Sequence, residues 1–113
     1  MTEVVTNTHQ QINYKPRISS IFHFLREYQR RGYLSRKARM ELENSVNFLE
    51  EAMEERSRAI EGTAEAAYTG KWVEEGLDFL RKLKQEITRE KPSSFDAFFY
   101  AKSLTRLAEY IFY

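Results

Sequence analysis

At 113 residues, with no Cys, two His, two Pro and four Gly, the chain reads as one domain that excludes disulfides, thiol nucleophiles, Cys-based zinc sites and a many-turned all-β fold. No run approaches the roughly 20 apolar residues of a membrane span. The first residues lack a basic segment followed by an apolar one, so an intracellular, cytoplasmic location without membrane contact is expected. The formal charge of +1 hides a reversal: residues 1–40 carry eight Lys/Arg against two acids, a net of +6, and residues 41–66 carry eight acids against two Arg, a net of −6.

Residues 1–16 are rich in Thr, Asn and Gln, lack periodicity and end in Lys15-Pro16. They read as a flexible N-terminal arm, which leaves 17–113 as a single helical domain. Ile18, Ile21, Phe22, Leu25 and Tyr28 then recur at helical spacing and predict a first helix from Ile18 to Arg31. Gly32 suits the left-handed residue just beyond it. Ser35 suits the N-cap of the next helix.

The second helix is expected from Arg36 to Ala67. Its apolar stripe is Ala38, Leu42, Val46, Leu49, Met53, Ile60 and Ala67, widened by Phe48, Ala52 and Ala59. Gly62 either kinks this helix or ends it early, since Gly is disfavoured there by about 1 kcal/mol against Ala. Arg56 falls on the stripe, so it either lays its stem along the core or sits in a buried ion pair. Glu43, Glu50, Glu54, Glu61 and Glu65 occupy another face, which is solvated or meets a basic partner. A Glu54–Arg58 helix pair is expected on that surface.

Thr69-Gly70 interrupts the pattern. A third helix is expected from Lys71 to Arg89, with Val73, Leu77, Leu80, Leu83 and Ile87 inward. The stretch Ala66 to Trp72 resembles the inter-helix turn of tetratricopeptide repeats, but it has no second copy and no solenoid is expected. Ser93 and Asp96 form a variant capping box that opens a fourth helix, running from Ser94 nearly to the last residue. Short connections between helices favour antiparallel neighbours. The expected fold is all-α, an antiparallel four-helix bundle with a flexible N-terminal arm, in which helices two and four supply most of the core.

Catalytic constellations are sparse. Glu50, Glu51, Glu54 and Glu55 are the densest acidic set, and a solvated face is the expected role for them. A di-iron bundle uses Glu-x-x-His, and neither His9 nor His23 has Glu three residues before it. Arg17 and His23 resemble the Arg-x4–6-His motif of helical nucleotide-binding ribonuclease domains. That motif belongs to a later helix in the family and falls at the start of the first helix here. No Gly-rich phosphate loop or nucleophile elbow occurs. We expect no enzyme, no cofactor, no metal and no small-molecule substrate.

Two surfaces point to binding. Arg26, Arg30, Arg31, Arg36, Lys37 and Arg39 cluster around the turn between helices one and two, with Tyr33 among them. Cations fix phosphates and Tyr rings stack on unpaired bases, so nucleic-acid backbone contact is one reading. The other is that this face balances the acidic second helix, within the molecule or in a neighbouring copy. Phe95, Phe98, Phe99 and Tyr100 cover most of the circumference of helix four, and Tyr110, Ile111, Phe112 and Tyr113 crowd its end, more than one inward stripe can bury. They predict self-association, most simply a homodimer.

Helices one and two, with Phe24-Leu25-Arg26, Leu34-Ser35 and Asn47-Phe48-Leu49, are similar to the helical DNA-clamping domain of tyrosine recombinases. Helix four, Phe95 to Tyr113, resembles the aromatic last helix of small subunits in type III CRISPR effector complexes. Each likeness covers under a third of the chain, and we assign the chain to neither family. Both likenesses imply a nucleoprotein context.

Overall fold

The computed structural model describes residues 13–112, so most of the expected arm lies outside the described residues. Four helices follow one another: α1 (Lys15–Arg31), α2 (Arg36–Ile60), α3 (Ala66–Ile87) and α4 (Ser94–Phe112). No strand occurs among the described residues.

Helix α1 starts three residues before the expected Ile18. Pro16 sits in its first turn, where a missing N–H and a fixed φ are tolerated. The Asn13 side chain accepts from the Lys15 N–H at 3.3 Å. Gly32 ends the helix at φ 83°, and its N–H donates to the Tyr28 carbonyl at 2.7 Å. Ser35 caps α2 as expected, its hydroxyl accepting from the Ala38 N–H at 3.1 Å.

Helix α2 does not continue to Ala67. It ends at Ile60, and Gly62 takes φ 78° in the connection that follows. Ala59 and Ala67, read as parts of its stripe, are exposed. Helix α3 begins at Ala66 rather than Lys71 and runs straight through Thr69-Gly70, ending at Ile87 rather than Arg89. Thr69 is buried on the same face as Val73, Gly76 and Leu80, which adds one turn to the stripe. Before α4, Ser93 accepts from the Asp96 N–H at 3.2 Å, the first half of the expected capping box.

Each helix packs on two neighbours, α1 on α2 and α4, and α3 on α2 and α4. Long-range contacts give the directions. The start of α1 meets the end of α4, where Tyr14 stacks on Phe112 with ring centroids 5.3 Å apart. The end of α1 meets the start of α4, where the Tyr28 hydroxyl donates to the Pro92 carbonyl at 2.9 Å. Arg39 at the start of α2 donates to the Ile87 carbonyl at the end of α3. Consecutive helices therefore run antiparallel.

Among the described residues α2 and α4 supply twelve of the twenty buried apolar residues, as expected, and α3 adds five more. Val73, Leu80, Leu83 and Ile87 of α3 are as fully buried as Leu42, Val46, Leu49 and Met53 of α2, with Leu104 and Ile111 from α4 and Ile21 from α1. Large apolar side chains buried to this degree each contribute about 1.5–3 kcal/mol. Helix α4 places the small residues Ala97, Ala101 and Ala108 inward, which lets its neighbours approach closely and turns its larger aromatics sideways or outward.

Candidate interaction surface

The outer side of α4 follows from its inner side. With Ala97, Ala101, Leu104, Ala108 and Ile111 inward, the opposite face falls on Phe95, Phe99, Lys102, Arg106, Glu109 and Tyr110, and all six are exposed. Phe95 is 80% exposed, Phe99 55% and Tyr110 53%. The remaining aromatics lie on the flanks. Phe98 turns toward α1 and is half-buried, its ring 6.1 Å from that of Phe22. Phe112 is half-buried against Tyr14. On the α3 side, Phe79 meets Phe99 edge-on at 6.2 Å and lies 6.3 Å from Tyr100. Tyr110 stacks on Trp72 at 5.2 Å.

Between α1 and α4 lies an open groove of about 580 Å³, lined by Phe22, Arg26, Gln29, Ser94, Phe95, Phe98, Phe99 and Lys102. Its floor is aromatic and its charged rim is cationic. Arg26 thus leaves the predicted basic cluster and joins the predicted aromatic one. The sequence separates these residues by about 70 positions, and only the antiparallel α1/α4 packing brings them together.

The rest of the basic cluster divides. Arg30 and Arg31 both pair with Glu27 of their own helix, at 2.5 and 3.1 Å. The Glu27 carboxyl is held below the usual carboxylate range, chiefly by the hydrogen bond from Arg30. Partial desolvation opposes this, and the charges of Arg30, Arg31 and His23 add to it. Arg39 is half-buried against the last carbonyl of α3. Tyr33, Arg36 and Lys37 remain exposed around the turn. The first turn of α2 contains no acid, so Arg36 and Lys37 meet the positive end of its dipole.

The acidic face of α2 is partly neutralised within the molecule. Glu50 faces Arg81 at 3.8 Å and Lys84 at 3.7 Å, both on α3. Glu65, just before α3, ion-pairs with Arg56, whose Nε also donates to the Ile111 carbonyl at 3.1 Å. Arg56 therefore takes the ion-paired of its two expected roles, at the edge of the core. The expected Glu54–Arg58 pair is not among the ion pairs of the described residues, where Glu50 and Glu65 reach across to other elements instead. The buried Glu86 was not anticipated. Its carboxylate accepts from the Ser93 N–H at 2.6 Å and faces Arg89 at 3.6 Å, tying α3 to the loop before α4.

Arg17 lies over the Phe48 ring at 4.4 Å, and His23 meets the edge of Phe24 at 5.2 Å. The two residues of the Arg-x5-His spacing are thus engaged with different aromatic rings. Among the described residues no three His, Cys, Asp or Glu side chains are placed to hold a metal ion, and no helix is long and apolar enough to cross a membrane. Comparison of the chain with protein-family models, with curated proteins and with solved structures gives no match.

Proposed function

We propose that this chain is a small non-enzymatic helical interaction protein that self-associates as a dimer through the outer face of α4. One observation carries the reading: Phe95, 80% exposed, and Phe99, 55% exposed, stand beside an aromatic groove on a bundle whose own core is complete without them. Contiguous apolar surface of this kind marks interfaces, whereas single exposed aromatics are ordinary. Sedimentation velocity over a concentration series tests the reading. The unmodified chain is expected to dimerise, and Phe95→Ser with Phe99→Ser to move it to monomer. A monomer at every concentration overturns it.

A second reading, nucleic-acid backbone contact at the α1/α2 turn, is supported by the exposed Tyr33 beside the exposed Arg36 and Lys37. With Arg30 and Arg31 paired to Glu27 and Arg39 bound to a carbonyl, few cations are left free for phosphate. Binding through Arg36 and Lys37 would carry a shallow salt slope of about two counterions. Titration of a labelled single strand at low salt, with and without Arg36→Glu and Lys37→Glu, tests it. Equal binding by the variant excludes this surface.

A further inference from the structure

The exposed stripe of α4 has a pattern that matches itself when reversed. Four residues separate Phe95 from Phe99, and four separate Arg106 from Tyr110. Lys102 falls next to the centre of this pattern, and Ser103 beside it is half-buried at the edge of the stripe. We infer that two copies associate by laying α4 antiparallel on α4, with the two-fold axis passing between Lys102 and Ser103. The inference rests on the self-association proposed above and adds its geometry.

In this register Phe95 meets Tyr110 of the second copy and Phe99 meets Arg106 of the second copy. The first contact joins two exposed rings, and the second places a guanidinium on an aromatic face. Lys102 lies at the axis, beside Ser103 and Lys102 of the second copy. A parallel pairing sets both Lys102 on Lys102 and Arg106 on Arg106. The antiparallel one brings only the two Lys102 together and turns Arg106 to a ring, so like-charge repulsion favours the antiparallel pairing. An isologous contact also closes on itself and gives a dimer rather than a filament.

The charges beside the stripe agree with this register. A two-fold axis across the interface leaves the α1 helices of both copies on the same side of the pair. Glu109 lies about three turns beyond Phe98, the residue that faces α1, so it sits on the α1 side of the stripe. Antiparallel pairing carries it to the level of Phe95, beside Arg26 on the groove rim. Arg26 and Glu109 are both exposed, and neither forms an ion pair among the described residues. Each copy thus supplies the acid for the other's cationic rim.

The chain has no cysteine, so single-cysteine variants read the register directly. Lys102→Cys lies at the axis and is expected to form an intermolecular disulfide under mild oxidation, since bridging needs Cα atoms within about 7 Å. Phe95→Cys is expected not to link to itself, because its two copies lie about 22 Å apart along the helices. Mixed with Tyr110→Cys, it is expected to give the heterodimer. Arg26→Glu and Glu109→Arg are each expected to weaken the dimer roughly tenfold, and together in one chain to restore it. Self-linking of Phe95→Cys as fast as Lys102→Cys, or additive loss in the double charge variant, overturns the antiparallel register while leaving self-association standing. A chain that sediments as a monomer overturns both. All these positions are exposed, and circular dichroism checks that each variant keeps its helices.

Discussion

Arg56 and Ile111 join α2 to α4 at one end of the bundle. The Arg56 Nε–H donates to the Ile111 carbonyl at 3.1 Å, in the last turn of α4 where carbonyls lack helical partners. The same guanidinium pairs with Glu65 ahead of α3. One side chain on α2 therefore holds the ends of two other helices. Arg56→Ala should lower the unfolding free energy by about 1.5–3 kcal/mol, in the range for hydrogen bonds to charged groups. Glu65→Ala should cost less, under about 1 kcal/mol, because the pair is part-exposed and Ile111 keeps its donor. Urea denaturation measures both.

Glu86 offers a cleaner case of burial. It is 3% exposed, and its carboxylate accepts the Ser93 N–H at 2.6 Å. Glu86→Ala strands that N–H and should destabilise by about 1–3 kcal/mol. Glu86→Gln keeps an acceptor and should recover much of the loss. Equal destabilisation by both variants, read from urea midpoints, would show that charge rather than acceptance holds the turn.

Gly76 sets how closely α3 approaches α2 and α4. An added Cβ would lie 2.9 Å from the Met53 sulfur and 3.1 Å from the Ile111 Cδ1. Both are ends of side chains, and the Met thioether is adaptable. Ala also gains about 1 kcal/mol of helix propensity over Gly. Gly76→Ala should therefore change stability by less than about 1 kcal/mol in either direction. Gly76→Leu has no such escape and should cost at least about 1–3 kcal/mol through overpacking. Thermal unfolding distinguishes the two.

The Glu27 cluster makes a pH prediction. The folded carboxyl titrates below its unfolded value, mainly because Arg30 donates to it. Its contribution is complete above the ordinary Glu value of about 4.3 and is lost as pH falls through the lower folded value. Glu27→Gln lacks this dependence. The stability gap between the unmodified chain and the variant should narrow as pH drops from about 5 to about 3. A gap that stays constant in denaturation at several pH values would remove the ion pair as its source.

The number of helices and half of their ends were legible because they are local events. Gly32 and Ser35 act on neighbours within one turn, and Ser93 does the same for α4. The boundary between α2 and α3 was misplaced because two glycines competed for it. Gly62 adopts φ 78°, which other residues reach at a cost, while Gly70 stays helical because Thr69 buries its side chain one turn ahead of Val73. Extending the Val73–Leu77–Leu80 spacing back by one turn to Thr69 would have shown this. The division of the basic cluster was only partly legible. Glu27 lies three and four residues before Arg30 and Arg31, so those pairs follow from helical spacing. The contacts of Arg39 with Ile87 and of Arg26 with the α4 groove depend on which helices become neighbours, and no local pattern encodes that.

The stacking of Trp72 on Tyr110 turns the molecule into its own optical probe. Trp72 is the only tryptophan, and its partner ring belongs to the exposed stripe of α4. Emission from a single indole reports one environment, free of the averaging that several fluorophores impose. Covering Tyr110 would dry and rigidify that environment, shifting emission to shorter wavelength and raising its anisotropy. Concentration-dependent fluorescence of the unlabelled chain would then trace an association curve, and loss of the signal in Tyr110→Ser would assign it to this end of α4.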